Sequence, residues 1–180
     1  MPRVHFVKKA MKDNVAVKKG EPYYWWEFRF GGKHYSATPP KQSQLTQSEF
    51  LSTVYDLNDR LDSLTADDFS DLGFQLQDIA DEFRSQAEEC ESKKSNMPDS
   101  LQESPTGNLL EERACACNDI ADSLENIDCE VDESEWEQEV KDELGETATP
   151  EEIEEEIESR RIEKMDELIS EAQTYQYDGE

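Results

Sequence analysis

The sequence predicts an α+β protein that is mostly α-helical, with a small N-terminal three-stranded antiparallel sheet packed on an acidic helical bundle or on helical hairpins. Eight of the sixteen aromatic residues lie within residues 1–41, where they favour strands. Beyond residue 41, apolar residues recur at alternating steps of three and four, the period of an amphipathic helix. Two such stripes are Phe50, Val54, Leu57, Leu61 and Leu64, and then Phe69, Leu72, Leu76, Ile79, Phe83 and, seven residues on, Cys90. The two segments therefore belong to different kinds of structure.

The charge divides at the same point in the chain. Residues 1–41 hold nine basic and three acidic side chains, a net charge of +6, whereas residues 42–180 hold nine basic and 42 acidic side chains, a net charge of −33. Because like charges repel and oppose compaction, a function other than stability is expected to maintain this distribution. A cationic partner is the natural counterpart of residues 42–180.

The first 41 residues are predicted to form a basic aromatic β-hairpin module. Tyr23–Phe30 is dense in aromatic residues, Gly31–Gly32 would supply the positive φ angles of a two-residue turn, and Lys33–Thr38 would return. Val4–Lys9 is predicted as a third strand. Pro39–Pro40 would end the module, because proline cannot donate a hydrogen bond to a strand ladder.

This turn would pair Phe28 with Tyr35 and Arg29 with His34. The face predicted to be buried carries Tyr24, Trp26, Phe28, Phe30 and Tyr35. Aromatic rings beside lysine and arginine suit base stacking and phosphate contact, so the opposite side of the module is a second candidate site. Its candidate nucleic-acid or partner residues are Lys8, Tyr23, Trp25, Arg29, Lys33 and His34.

The strand pattern around Gly31–Ser36, with the sequence GGKHYS, is loosely similar to the small arm-binding sheets at the start of tyrosine recombinases. The similarity covers only this module. The alternative interpretation is that its aromatic residues build a small core and its lysines keep it in solution.

Residues 42–91 are predicted as a helical hairpin, residues 92–107 as a flexible linker, residues 108–172 as acidic helices and residues 173–180 as a frayed tail. Four helix starts are predicted from capping signals, and Gly145 is predicted to end the helix that precedes the last one. The predicted starts are Thr46 with Glu49, Thr65, Asn108 with Glu111, and Thr149 with Pro150.

The acidic segments can be compared with nucleic acid. Residues 65–91, 108–144 and 149–172 carry net charges of −8, −12 and −7. At ~1.5 Å per helical residue this is about one net charge per ~5 Å, a third of the density of duplex DNA. The candidate partner-binding acids are Asp67, Asp68, Asp71, Asp78, Asp81, Glu111, Asp119, Asp122, Glu133, Glu137, Glu151 and Glu155.

Three aligned helices would match the charge density of DNA. The first functional hypothesis is therefore a nucleic-acid mimic that occupies the basic site of a nucleic-acid-binding protein, as an inhibitor or modulator, by analogy with phage-type anti-defence proteins. A solvated acidic face kept for solubility explains the same composition. Two further alternatives are a nucleic-acid- or ribosome-associated adaptor that binds through residues 1–41, and a structural coiled-coil component that oligomerises through its helices.

The sequence contains few of the residue combinations that catalysis requires. The two histidines, His5 and His34, both lie in the basic module, and no phosphate-binding glycine loop, calcium loop or serine elbow is present. No catalytic residue, metal site or cofactor is predicted, and the four cysteines are expected to be reduced thiols. We expect a non-enzymatic, soluble, cytoplasmic protein with no membrane partner. Direct nucleic-acid binding is less favoured, because the negative charge of residues 42–180 repels a polyanion.

Overall fold

A computed structural model describes residues 1–145 and 149–179 and is 60% helical, which confirms the mostly helical α+β class. The described residues form one antiparallel sheet, in the order β1-β2-β3, and six α-helices. The strands are β1 (His5–Val7), β2 (Tyr23–Glu27) and β3 (Lys33–Ser36). The helices are α1 (Glu49–Asp62), α2 (Phe69–Ser95), α3 (Asp99–Gln102), α4 (Pro105–Glu125), α5 (Glu133–Leu144) and α6 (Pro150–Ala172).

The described chain divides into two compact units, residues 1–56 and residues 57–179. The first unit contains the sheet, a short 3₁₀ helix over Gln42–Leu45 and the first two turns of α1. The second unit contains the remaining helices. The change in composition near residue 41 thus precedes the boundary between the two units.

The pairing of β2 with β3 corrects the predicted hairpin. Glu27 pairs with Lys33 instead of Ser36, so the register is displaced by three residues. The Gly31 amide donates to the Phe28 carbonyl at 3.2 Å, and neither Gly31 nor Gly32 has a positive φ. Glycine permits the left-handed conformation without requiring it, so the predicted two-residue turn does not form.

An odd displacement moves side chains to the opposite face of the sheet. His34 lies beside Trp26, with ring centroids 5.5 Å apart, and Tyr35 pairs with Trp25. Trp26 is only 3% exposed and belongs to the core, whereas Phe30, predicted to be buried, is 86% exposed. The observed register is the one that stacks Trp26 on His34, and the predicted register would have separated them.

The loop between β1 and β2 is closed by hydrogen bonds at its base. The Ala10 amide donates to the Glu21 carbonyl at 2.8 Å, and the Gly20 amide donates to the Ala10 carbonyl at 2.9 Å. Further along the loop, Asn14 Oδ1 accepts the amides of Ala16 and Val17. These bonds fix the backbone of a segment that carries five lysines. The lysines, all exposed, are Lys8, Lys9, Lys12, Lys18 and Lys19.

Helix α1 begins at Glu49 because the Ser48 hydroxyl accepts the Leu51 amide at 3.3 Å. Ser48 is therefore the N-terminal cap, and the predicted pairing of Thr46 with Glu49 is wrong. The predicted apolar stripe of this helix is confirmed. Its buried members are Phe50, Val54, Leu57, Leu61 and, just past the helix, Leu64.

Helices α2 and α4 pack together as an antiparallel hairpin. The buried stripe of α2 includes the predicted residues Phe69, Leu72, Leu76, Ile79, Phe83 and Cys90. The buried stripe of α4 consists mostly of small side chains, Ala114, Cys117 and Ala121, and ends on Leu124. Small residues on α4 let its backbone approach the larger side chains of α2, and this alternation fills the interface.

The cap of α2 lies three residues after its predicted position, and the cap of α4 lies four residues before its predicted position. Asp68 caps α2, since its carboxylate accepts the Asp71 amide at 2.7 Å. Ser104 caps α4, with proline at the first helical position. The region predicted as a flexible linker thus contains the end of α2, all of α3 and the start of α4. Gly107 is required there, because a Cβ would lie 2.0 Å from the Gln102 carbonyl oxygen.

The last two helices agree with the predicted boundaries. Gly145, with φ +83°, ends α5, and its amide donates to the Lys141 carbonyl. Thr149 and Glu152 form a capping box at the start of α6. The C-terminal segment differs from the expected frayed tail. Tyr177 is buried and exchanges two hydrogen bonds with the Asn58 side chain, at 2.8 and 3.0 Å.

Trp26 rather than Phe28 should be the residue on which the sheet unit depends. We predict that Trp26→Ala lowers the free energy of unfolding of this unit by about 3 to 5 kcal/mol, because it empties a buried site. Phe30→Ala should change it by less than about 0.5 kcal/mol, since that side chain is in solvent. Urea unfolding followed by tryptophan fluorescence would measure both in a Trp136→Phe background, where the remaining tryptophans lie in the sheet unit. Equal effects of the two variants would contradict the observed register.

Candidate functional site

Arginines in the second unit act as bridges between helices. Arg60 on α1 binds two acids of α2, and Arg84 on α2 binds two acids of α4. The pairs are Arg60–Asp78 and Arg60–Glu82, each at 2.5 Å, and Arg84–Asp122 and Arg84–Glu125, each at 2.6 Å. The Arg84 hydrogen bond lowers the pKa of Glu125. Arg60 and Arg84 therefore form ion pairs that join acidic helices.

The same arrangement joins α5 and α6, which also run antiparallel. Arg160 on α6 binds Glu139 at 3.1 Å and Glu143 at 2.6 Å on α5. Its neighbour Arg161 binds Glu133 at 2.5 Å, and this hydrogen bond lowers the pKa of Glu133. The apolar contact of α5 is narrow, since Val140 is its fully buried residue.

Six of the twelve predicted partner-binding acids cap a helix or form an ion pair. Asp68 caps α2, and five others form ion pairs: Asp78, Glu111, Asp122, Glu133 and Glu137. Of the other six, Asp71 is half-buried and accepts hydrogen bonds from the Asp67 amide and the Gln75 side chain, and the rest are exposed. These other six are Asp67, Asp71, Asp81, Asp119, Glu151 and Glu155.

Among the described helices, the α5–α6 hairpin carries the highest density of acidic charge. Helix α5 carries six acids and one lysine, and α6 carries ten acids and three cations, so the pair has a net charge of −12. Over the ~35 Å length of α6 this is about one net charge per ~3 Å. A single nucleic-acid strand carries one charge per ~3.4 Å. Two antiparallel helices thus reach the linear charge density of one strand.

A groove runs along this hairpin, with a volume of about 450 Å³. The half-buried side chains of Ile153 and Ile157 line it together with Glu137, Glu154 and Glu158. Two cations line it as well, since Lys141 pairs with Glu137 and Arg161 pairs with Glu158. The apolar residues can receive the aliphatic stem of a basic side chain, whose charged end would meet Glu154.

The residues predicted for the basic module do not form one surface. Tyr23, Trp25 and Lys33 share a face of the sheet, but His34 lies on the other face with Trp26. Arg29 lies in the connection after β2, where its guanidinium is 5.2 Å from the centre of the Phe30 ring. Lys8 is exposed just beyond the end of β1.

Trp25 is already in contact with rings or charges from both neighbouring strands. On the β1 side the His5 ring stacks on it, with centroids 4.3 Å apart and planes at 11°. On the β3 side Lys33 Nζ lies 4.7 Å from the centre of the indole ring. This ladder stabilises the sheet, and a base could stack on Trp25 only after one of these partners moved.

Phe74 is the surface residue that reasoning from the sequence missed. It lies on α2 but outside the buried stripe, and 73% of it is exposed. The sequence does contain a sign of this exposure. Phe74 lies between Leu72 and Leu76, but the residues one helical turn before and after it are Asp71 and Asp78 and not apolar residues.

No protein-family model, curated protein or solved structure matches the chain. Among residues 1–145 and 149–179, no group of three or more histidine, cysteine, aspartate or glutamate residues is placed to hold a metal ion. Within those same ranges, no helix is both long and apolar enough to cross a membrane.

The ion pair between Glu133 and Arg161 predicts a pH-dependent contribution to stability. Because the pKa of Glu133 is lowered in the folded state, the contribution is present at neutral pH and is lost as the pH falls through that lowered pKa, below the ordinary carboxyl range near 4.3. Glu133→Gln should therefore cost at most about 1 kcal/mol at pH 7, since both partners are about a third exposed, and nothing in strong acid.

The matched control for this experiment is Glu135→Gln, which makes the same charge change at an exposed position of the same helix. Urea unfolding at a series of pH values would measure the difference between each variant and the native protein. A cost of Glu133→Gln that stayed constant down to strong acid would show that the pair does not act through its charge.

The four free cysteines should differ in reactivity. Cys117 is buried, and desolvation raises its pKa to about 12, while Cys115 on the same helix is exposed. We predict that a disulfide reagent at pH 8 labels Cys115 in the native protein and labels Cys117 only after unfolding. Mass spectrometry of the labelled peptides would check the order, and early labelling of Cys117 would contradict the packing of α4 on α2.

Proposed function

We propose that this protein is a non-enzymatic, cytoplasmic binding protein whose acidic helices act as a nucleic-acid mimic. Its partner is a basic, nucleic-acid-binding protein, which it inhibits or modulates by occupying the site where phosphates would lie. The α5–α6 hairpin is the surface proposed to make the contact. No cofactor is involved, because the interaction consists of charge pairing and the release of counterions.

The observation that carries this proposal is the charge density of the hairpin. Its net charge of −12 over ~35 Å equals that of a nucleic-acid strand of the same length. Affinity for phosphate-binding sites is dominated by charge and is independent of sequence, so a protein with this density meets the main requirement of such a site.

The arrangement of the cations supports the proposal. Arg160 and Arg161 lie between α5 and α6, where each binds acids of the facing helix. The exposed acids Glu151, Glu154 and Glu155 lie at the start of α6, before the first of these arginines. This end of the hairpin therefore presents carboxylates without interleaved positive charge along the helix.

A second candidate function is favoured by the loop between β1 and β2. Its five exposed lysines stand on a backbone fixed by hydrogen bonds, which suits contact with a polyanion. In this adaptor function, residues 1–41 would bind nucleic acid or the ribosome and the helices would recruit another protein. The net charge of −27 opposes it, because the whole chain repels a polyanion.

The test uses the full-length protein, immobilised and exposed to a cell lysate. We predict that the captured proteins are basic and are released by duplex DNA at constant ionic strength, because DNA competes for the same site. Binding should weaken by orders of magnitude between about 50 and 200 mM salt. Capture that resists both DNA and salt would contradict mimicry. A gel shift of nucleic acid by the protein alone at about 150 mM salt would favour the adaptor instead.

Two matched variants locate the contact. Glu151→Gln with Glu155→Gln removes two charges from the hairpin, and Glu88→Gln with Glu91→Gln removes two exposed charges from α2. The slope of log affinity against log salt should fall by about two for the hairpin variant, one for each charge contact removed, and should not change for the control. Equal effects would mean that total charge, and not this hairpin, determines binding.

A further inference from the structure

Phe74 forms an exposed apolar ridge between two grooves on the second unit. One groove, of about 370 Å³, lies between Phe74 and the end of α1 and is lined by Leu64 and Ile79. The other, of about 820 Å³, lies between Phe74 and the segment before α5 and is lined by Phe69 and Val131. The smaller groove is also lined by Arg60, Ser63, Gln75 and Asp78, so both grooves have apolar and polar residues in their lining. A large exposed apolar side chain between two such grooves is the form of a docking surface.

The charges around this ridge are negative. Three aspartates lie at helical spacing from Phe74 and share its face of α2. Asp71 is three residues before it, Asp78 is four residues after it and Asp81 is seven residues after it. Glu130 and Asp132 line the larger groove. Arg60 is the cation that lines the smaller groove, and it is held by the two carboxylates of Asp78 and Glu82. A partner for this surface needs an apolar centre with positive charge around it.

The first unit of the same chain carries a surface of that description. Met11 and Val15, which are 82% and 91% exposed, lie on the loop between β1 and β2. The same loop carries the five exposed lysines, and its two acids, Asp13 and Glu21, accept amides of the loop itself. These bonds and those at its base hold Met11 and Val15 in solvent on an ordered backbone, which lowers the entropy cost of docking.

We propose that the loop of one copy docks on the Phe74 ridge of a second copy. Met11 and Val15 contact Phe74 and the two grooves, and the lysines of the loop meet Asp71, Asp78, Asp81, Glu130 and Asp132. The Phe74 ridge lies on α2 and not on the α5–α6 hairpin, although Asp132 in the larger groove caps α5, and the docking does not depend on the proposed function. It also gives a role to the positive charge of residues 1–41, which mimicry of nucleic acid leaves without one.

The contact is heterologous, because the two surfaces that meet are different. A pair of copies therefore keeps one unused ridge on one member and one unused loop on the other, and the assembly grows into a ring or an open chain. The surfaces are small, so a single contact is weak, with a Kd in the range of about 10 to 100 μM. At about 150 mM salt the Debye length is ~8 Å, which screens repulsion between the remaining acidic surfaces while groups in contact still attract.

The experiment measures the mass of the full-length protein by light scattering and sedimentation at about 150 mM salt, from about 10 to 300 μM. The native chain, with a monomer mass of 20.8 kDa, should at least double in mean mass over this range. Phe74→Ser should remain monomeric, and so should the double variant Met11→Ser with Val15→Ser. All three substituted side chains are exposed, so both variants should fold normally, as circular dichroism would show.

Mixing the two variants is the decisive step. The Phe74 variant keeps an intact loop and the loop variant keeps an intact ridge, so an equimolar mixture should form a heterodimer and grow no further. Phe30→Ser and Ile162→Ser, which remove exposed apolar side chains elsewhere in the first and second units, should assemble like the native chain.

Three outcomes would overturn the proposal. The native chain could stay monomeric throughout, which would also be the result of docking within one chain. The mixture could fail to form a heterodimer, which would indicate contact between identical surfaces. The control variants could abolish assembly as completely as the docking variants, which would indicate association without a defined surface.

Discussion

Repulsion among its many acids is the constraint that the helical unit has to meet, and the bridging arginines meet it where two helices face each other. With 42 acids and nine cations after residue 41, the helices repel one another wherever a cation does not lie between them. Arg60, Arg84, Arg160 and Arg161 each contact a facing helix, and Arg60, Arg84 and Arg160 each bind two of its acids. The planar guanidinium suits this task, since it can present several donors to different carboxylates at once.

The distribution of apolar surface explains why these bridges matter more at one end of the unit. Helices α2 and α4 share a continuous buried stripe, so their packing supplies a hydrophobic contribution of its own. Helices α5 and α6 bury fewer apolar residues, among them Val140, Leu168 and Ala172. The pair with the highest acidic charge thus has the thinner core. Its association relies more on Arg160 and Arg161, and a cationic partner would relieve the repulsion that remains.

The structure therefore distinguishes acids that bind arginines from acids on the open surface. The composition of the chain does not make this distinction. Acids such as Asp122 and Glu133 hold the fold together, and neutralising them tests stability. Acids such as Glu151 and Glu155 lie on the open surface, and neutralising them tests binding. Phe74 marks a third case, in which acids surround an apolar side chain. The functional question depends on these distinctions and not on the total charge.

The sequence by itself determined the class of fold, the buried stripes of the helices and the ends of α5 and α6. Each of these follows from local chemistry: apolar spacing for Leu57 and Ile79, a cap followed by proline for α6, and a glycine for the end of α5. The start of α4 carried the same local signal, Ser104 before Pro105, and could have been found. The start of α2 at Asp68 was ambiguous, because several adjacent residues can cap a helix.

Only the tertiary structure decided the strand register, the docking of the C-terminal segment and the separate roles of the acids. The register depends on contacts between strands, such as Trp26 with His34, and the Gly31–Gly32 pair allows more than one turn. Tyr177 is held by Asn58, a residue more than a hundred positions earlier in the chain. Whether an acid binds an arginine depends on which helix faces it. The register, the docking of the C-terminal segment and the pairing of the acids all depend on residues that are distant in the sequence. The helical period and the turn residues of a single segment therefore cannot predict them.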